Sequence, residues 1–182
     1  MLKEEACDLN SLRYFNPFTS SLQYPHHTWK LSGNNPFETH KSIVLAKMLS
    51  GRYRTEYLMR HWSNKNKDGF CQFTSCCSVA GTLEHILVVC PALENVRRKM
   101  KEFVLEKLRE KLIPMYLFVS EIFKGNEEAQ TCFLLSPLSF PFISSQVHLY
   151  GDTLLQLICY CSRTYVYYIH KERMRLSEEL KG

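Results

Sequence analysis

Four cysteines and one histidine are concentrated in one stretch of twenty residues, from Cys71 to Cys90. Cys71 and Cys76 fall in a polar loop, whereas His85 and Cys90 lie on the apolar segment that follows it. Thiolate and imidazole are the donors that a tetrahedral zinc ion prefers, and structural sites draw four of them from two short-range pairs. The spacing therefore predicts one zinc ion held by Cys71, Cys76, His85 and Cys90.

The sequence leaves two alternatives to this ligand set open. Cys77 adjoins Cys76 and could replace it as a ligand. The same residues could also be small buried thiols beside a polar core histidine, since free cysteine is among the most buried residue types. His85 and Cys90 would point about 140° apart on an ideal α-helix with ~100° per residue. If both bind one ion, we expect the helix to fray before Cys90, next to Pro91.

The content of acidic residues argues against catalysis. Only three aspartates occur, at Asp8, Asp68 and Asp152, far apart in a chain of 182 residues. Polymerases and nucleases that use paired metal ions need clustered carboxylates to hold them. The chain also has no glycine-rich phosphate loop and no nucleophile-elbow motif. A zinc ion with four protein ligands would leave no position for a reacting water, so we expect a structural metal and no enzymatic activity.

A basic segment, residues 41–67, precedes the cysteines and contains seven lysines and arginines against the single acid Glu56. Aromatic and histidine side chains are interleaved with these bases, a mixture suited to phosphate contacts and base stacking. The alternative is a solvated basic face whose aromatics are buried. If the segment binds nucleic acid, the predicted contact residues are Arg52, Arg54, Arg60, His61, Trp62, Lys65 and Lys67.

The elements that must position these residues are mainly α-helical. Asn35 followed by Pro36 predicts a helix start, and Gly51 is placed to end that helix. Apolar residues recur every three or four positions from 92 to 112, which predicts a long amphipathic helix with Arg97 to Lys101 on its solvated face. Residues 146–180 are predicted as a long C-terminal helix, bent near Gly151, with a charged end at 171–175.

These patterns predict a small, mainly α-helical protein with a zinc-knuckle-like loop. We divide it into an aromatic-rich extended arm (1–33), a helical zinc-binding module (34–112) and a C-terminal helical region (113–182). The N-terminus has no apolar signal core, and no apolar run reaches the ~18 to 20 residues that a membrane span needs. Eight cysteines in such a chain indicate reduced thiols and an intracellular location, nuclear or cytoplasmic, without membrane association.

Several motifs resemble one family along nearly the whole chain. They are Tyr24-Pro-His-His-Thr-Trp29, Asn35-Pro-Phe-Glu38, Met48-Leu-Ser-Gly-Arg-Tyr-Arg-Thr-Glu56, Arg60-His-Trp-Ser63, Gly81-Thr-Leu-Glu-His-Ile-Leu-Val-Val-Cys-Pro-Ala-Leu93 and the tail at 151–175. Together they are similar to the region after the reverse transcriptase domain in non-LTR, LINE-like retrotransposon polyproteins. The block around residues 84–91 resembles their reverse-transcriptase zinc-binding segment most specifically.

That resemblance implies a zinc knuckle that helps a polymerase engage template RNA or target DNA, with Cys71, Cys76, His85 and Cys90 as ligands. The gap between Cys71 and Cys76 is wider than the family's common two-residue gap. The implied function is a non-catalytic, zinc-stabilised module that binds RNA or DNA, derived from the C-terminal part of such a polyprotein. Its partner would be a reverse transcriptase domain that this chain lacks. The alternative is a helical protein-interaction or remnant domain that binds neither metal nor nucleic acid.

Overall fold

The structure is a computed structural model that describes residues 35–62, 68–76 and 78–182, with backbone alone at His61 and Trp62. Throughout these ranges the protein is mainly α-helical, as predicted, and extended chain pairs only in an isolated bridge between Phe70 and Ala80. The predicted aromatic arm, residues 1–33, lies outside the described residues. The α-helices are α1 (Pro36–Leu49), α2 (Glu56–Trp62), α3 (Glu94–Lys111), α4 (Ile113–Lys124), α5 (Glu127–Leu135), α6 (Pro141–Tyr150) and α7 (Asp152–Glu179).

Helix α1 begins and ends where its sequence signals predict. The Asn35 side chain accepts hydrogen bonds from the backbone N–H groups of Phe37, at 2.9 Å, and Glu38. Pro36 occupies the first turn, where its missing N–H needs no partner. Gly51 follows the helix at φ 64°, a left-handed conformation that costs glycine little. Local capping chemistry therefore sets both limits of α1.

The long C-terminal helix α7 is the centre of the fold. It packs against α3, α1, α5 and α6, and α3 in turn packs against α4. Tyr165, Val166 and Ile169 of α7 are fully buried within one continuous hydrophobic core. This core takes side chains from both predicted regions, 34–112 and 113–182. None of the helices in the described ranges is both long and apolar enough to cross a membrane.

The single bent helix predicted over residues 146–180 is in fact two helices. Gly151 has φ 72° and separates α6 from α7 as a sharp break rather than a bend. Pro141 begins α6, so that helix starts five residues earlier than the prediction. The prediction followed the apolar pattern across Gly151, and the left-handed backbone at this glycine ends the first helix there.

Residues 171–175 are predicted as a charged helix end. This prediction is wrong for Arg173, because its side chain is buried and only 8% exposed. Its Nη2 donates to Glu56 Oε1 at 2.7 Å, and its Nη1 donates to the Tyr53 hydroxyl at 3.2 Å and the Arg54 carbonyl at 3.1 Å. Arg173 lies one helical turn after Ile169 on the buried face of α7, which turns its guanidinium toward α2. This contact ties the chain around α2 to α7.

Candidate metal centre

The first two predicted ligands lie on a short metal loop, residues 68–76, that folds back on the chain after it. The bridge between Phe70 and Ala80 and a 2.8 Å hydrogen bond from the Cys71 N–H to the Val79 carbonyl close this loop. Cys76 stands at the end of a 3₁₀ turn, Thr74–Cys76. The loop thereby turns Cys71 and Cys76 toward the same side.

The second pair is held by an unusual helical turn. The Thr82 hydroxyl accepts from the His85 N–H at 3.2 Å, so Thr82 caps the start of this turn. Residues His85–Val89 form a π-helical turn, closed by a 2.7 Å hydrogen bond from the Cys90 N–H to the His85 carbonyl. The predicted fraying before Cys90 is therefore wrong. An i→i+5 hydrogen bond brings residues five apart to neighbouring positions, and π-turns of this kind often occur at functional sites.

These two elements bring the four predicted ligand groups together. The Sγ atoms of Cys71, Cys76 and Cys90 and a ring nitrogen of His85 all lie within 4.8 Å of one another. Cys90 Sγ is 4.0 Å from Cys71 Sγ and 3.5 Å from Cys76 Sγ. Zn–S bonds of ~2.3 Å at tetrahedral angles place ligand sulfurs about 3.8 Å apart. The cluster could therefore hold a metal ion with little rearrangement.

The His85 imidazole supplies a second sign that the donor set fits a metal. Its Nε2 is buried and has no hydrogen-bond partner among the described residues. A buried polar atom left without a partner costs free energy, so native structures rarely keep one. A metal ion bound through Nε2 would supply the missing partner. Cys77, the other candidate ligand, lies outside the described residues.

The three thiols shift one another's pKa values. A hydrogen bond to Cys90, together with burial, raises the pKa of Cys71 to about 12. The same hydrogen bond lowers the pKa of Cys90, whereas burial raises the pKa of Cys76. Adjacent thiolates repel one another, so they cannot all ionise unless a cation is present. A divalent metal ion would supply that charge and displace the protons.

Backbone donors favour thiolates at two of these positions. The N–H groups of Phe73 and Ala92, each two residues after a cysteine, hydrogen-bond Cys71 and Cys90 and act to lower their pKa values. Cys76, His85 and Cys90 are buried and Cys71 is half-buried. The site is thus closed on most sides, which suits a structural ion rather than a catalytic one.

Arg97 is a residue of this site that the sequence reasoning missed. It was expected on the solvated face of the long helix, but it is only 2% exposed. Its Nη2 donates to the Cys90 carbonyl at 2.7 Å and to Glu94 Oε2 at 2.6 Å. Arg97 lies four residues after the buried Leu93 and seven before the buried Val104, so this spacing could have predicted its burial.

Arg97 fixes the backbone that carries Cys90, through its hydrogen bond to the Cys90 carbonyl. Arg97→Met is expected to lower metal affinity by roughly 10- to 100-fold, the usual effect of removing a group that orients a ligand. Competition with a chromophoric chelator measures this. Arg98→Met, at the exposed neighbouring position, is the control and should leave affinity unchanged. Equal affinities for the two variants would contradict the role of Arg97.

The predicted nucleic-acid contacts are only partly within the described residues. Arg52, Arg54 and Arg60 are exposed, and no acidic group in the described ranges pairs with them. His61 and Trp62 end α2, but the structure describes no more than their backbone, and Lys65 and Lys67 lie outside the described residues. Tyr57 is half-exposed beneath the Arg60 guanidinium, 5.2 Å from the centre of its ring.

Two other residues of the basic segment do not belong to its exposed face. Lys41 is 3% exposed and pairs with Glu38 at 2.7 Å. Tyr53 is buried and hydrogen-bonds His170 at 2.9 Å. The exposed basic surface is therefore smaller than the sequence count indicates, because its first lysine and an internal tyrosine belong to the core.

The fold and the site together define a mainly α-helical protein with a candidate Cys₃His metal centre. No protein-family model, curated protein or solved structure matches this chain.

Proposed function

We propose that this protein is a zinc-stabilised, non-catalytic module that binds nucleic acid. The observation that carries the zinc part is the convergence of three sulfurs and one ring nitrogen of His85 within 4.8 Å of one another. The buried Nε2 of the same imidazole, which has no hydrogen-bond partner among the described residues, supports it. Zinc is favoured over other metals because three thiolates and one imidazole at tetrahedral spacing are its usual structural donor set. When bound, zinc would hold the metal loop against the π-helical turn. Such thiolate ligands require reduced cysteines, which supports an intracellular location, nuclear or cytoplasmic.

The nucleic-acid part of the proposal rests on the exposed arginines around α2. Arg52 and Arg54 precede this short helix and Arg60 lies on it, all exposed to solvent. The nearby acid Glu56 is neutralised by Arg173 rather than by these residues. Positive charge therefore remains available for phosphate oxygens. His61, Trp62, Lys65 and Lys67 would extend this contact surface.

Binding of RNA or DNA should weaken steeply as salt rises, because each phosphate contact releases condensed counterions. Arg52→Gln, Arg54→Gln and Arg60→Gln combined are expected to lower affinity. They should also reduce the slope of log affinity against log salt by about one for each arginine that binds a phosphate. Fluorescence anisotropy across a salt titration measures both quantities.

The matched control removes the same charge from the exposed face of α3, by Arg98→Gln, Lys99→Gln and Arg109→Gln combined. It should preserve the slope if binding is localised near α2. Salt-independent binding, or equal slopes for the two triple variants, would contradict the proposed contact surface.

The origin of the module follows from the resemblance to non-LTR retrotransposon polyproteins. We propose that this module corresponds to the region that follows the reverse transcriptase domain in those polyproteins. A zinc knuckle there would help that domain engage RNA or DNA. The reverse transcriptase domain is then the proposed protein partner. The module itself contributes binding and no catalytic group.

A second candidate function, a helical protein-interaction domain, is favoured by one apolar surface. A groove of about 610 Å³ is lined by Leu112, which follows α3, by Tyr150 of α6 and by Leu157 of α7, among other side chains. Leu149, next to Tyr150 in the chain, is 72% exposed. Exposed apolar patches of this kind commonly mark protein contacts. Concentration-dependent self-association in sedimentation, with no nucleic-acid binding at low salt, would favour this candidate.

A further inference from the structure

A cavity of about 510 Å³ adjoins the metal centre at Cys71, the most exposed of the four candidate ligands. It lies between the metal loop, the chain around α2 and the C-terminal part of α7. This volume is within the range of pockets that accept small ligands or single chemical groups. The side chains that matter for its chemistry are Arg54, Met59, Asp68, Phe70, Gln72 and Arg173.

Phe70 gives this cavity an exposed aromatic wall. Its side chain is 41% exposed although the next residue is a candidate metal ligand. Its backbone is held by the bridge to Ala80 and by a 3.0 Å hydrogen bond from its N–H to Asp68 Oδ1. An exposed ring on a fixed backbone is suited to stacking against a planar base. Met59, half-buried on α2, adds apolar surface to the same cavity.

Polar groups around the cavity match the other parts of a nucleotide. Arg54 is exposed and lines the cavity, and its backbone carbonyl is held by Arg173 at 3.1 Å, which fixes the backbone from which its side chain extends. Asp68 keeps acceptor capacity beyond its bond to Phe70, and the Gln72 amide is oriented by its hydrogen bond to Ser177. A phosphate would bind Arg54, and the amino group of a base could donate to Asp68 or Gln72.

Arg173 brings no net charge to this cavity. Its guanidinium is compensated by Glu56, with Nη2 and Oε1 2.7 Å apart. The remaining charges among the lining residues are one arginine and one aspartate, at Arg54 and Asp68. This balance disfavours a multiply charged anion inside the cavity and suits a neutral base with its phosphate outside.

We propose that this cavity receives one unpaired base of a single RNA or DNA strand, stacked on Phe70 with a neighbouring phosphate on Arg54. This inference rests on the proposed nucleic-acid binding. It adds that the bound nucleic acid is single-stranded and that one of its bases lies in the cavity beside Cys71. A duplex would have to extrude a base to fill the cavity, at a cost of a few kcal/mol in general. Metal and strand binding are coupled in this arrangement, because Phe70 and Gln72 flank the ligand Cys71.

The test uses the full metal-loaded chain and one fluorescently labelled oligonucleotide, presented as a single strand and as a duplex. The wild type should bind the single strand more tightly. Phe70→Leu keeps an apolar side chain but loses the aromatic face, so its affinity for the single strand should fall roughly 5- to 150-fold. Phe70→Trp should retain the wild-type affinity.

Phe37→Leu is the matched control, because Phe37 is similarly exposed, at 46%, and lies in the first turn of α1 away from the cavity. It should bind as the wild type does. Metal content and the circular dichroism spectrum of each variant establish that it is folded.

The outcomes separate this inference from the function on which it rests. Salt-dependent binding with equal affinity for single strand and duplex, or a Phe70→Leu variant that binds like the wild type, overturns the base pocket and leaves the proposed function standing. Absence of any binding by the wild type at low salt overturns both. A weaker affinity in Phe70→Leu that Phe70→Trp restores supports stacking in the pocket.

Discussion

Replacing Cys71 by serine, or chelating the metal, is expected to abolish metal binding and to release the metal loop from the π-helical turn. Structural zinc contributes about 10–16 kcal/mol in isolated zinc-finger peptides, as large as the ~5–15 kcal/mol stability of a whole domain. Here the helical core around α7 also supports the fold, so we expect a partial loss of stability. A loss of about 5 kcal/mol would lower the Tm by roughly 10–20 °C in a chain of this size.

Three measurements follow this loss of stability: metal content of the purified protein, its Tm, and hydrogen exchange of the backbone between residues 68 and 90. His85→Ala should behave like Cys71→Ser. Cys132→Ser is the control, since Cys132 is also a half-buried thiol and its sulfur lies 3.0 Å from the Ser139 hydroxyl oxygen. Cys77→Ser tests the remaining alternative ligand and should retain the metal if Cys76 is the one that binds.

Two observations together would contradict the metal centre. The purified wild type would lack stoichiometric metal, and Cys71→Ser and Cys132→Ser would have the same Tm and the same exchange rates. The cluster would then be a group of packed thiols. Cobalt substitution gives an independent reading, because cobalt bound to cysteine sulfur has an absorption spectrum that depends on the number of thiolate ligands. We expect that spectrum to report three thiolates in the wild type and fewer in Cys71→Ser.

Arg173→Met is expected to destabilise the protein by about 3–5 kcal/mol, the usual cost of removing one partner from a buried ion pair. Glu56 would keep its carboxylate inside the protein, where 13% of that side chain is exposed, without its guanidinium partner. The Tyr53 hydroxyl and the Arg54 carbonyl would each lose a donor as well. Urea denaturation followed by circular dichroism measures the change.

Arg175→Met is the matched control for this prediction. Arg175 lies two residues further along α7 and pairs with both Glu172 and Glu179, but 53% of its side chain is exposed. Exposed ion pairs contribute about 0–1 kcal/mol, so this variant should unfold nearly as the wild type does. Adding Glu56→Gln to Arg173→Met should recover part of the lost stability. If the two arginine variants were equally stable, the buried pair would have no structural role.

The parts of the fold that were predictable from sequence depend on neighbouring residues. Asn35 and Pro36 begin α1 because capping is completed within one turn of the chain. The donor types of the candidate site were also predictable, because the chemistry of thiol and imidazole, together with their spacing, indicates a tetrahedral site, whereas the sequence left Cys76 and Cys77 open as alternatives.

The sequence by itself therefore determined the helical class, the limits of α1 and the chemical types of the candidate donors. The tertiary structure decided that Arg173 is buried against Glu56 and that the Arg97 guanidinium holds the Cys90 carbonyl. It also decided that a π-helical turn, rather than fraying, brings Cys90 beside His85. The physical reason is that capping and ligand chemistry act between residues close in the chain. The burial of Arg173 depends instead on a partner far away in sequence, since Glu56 is 117 residues distant.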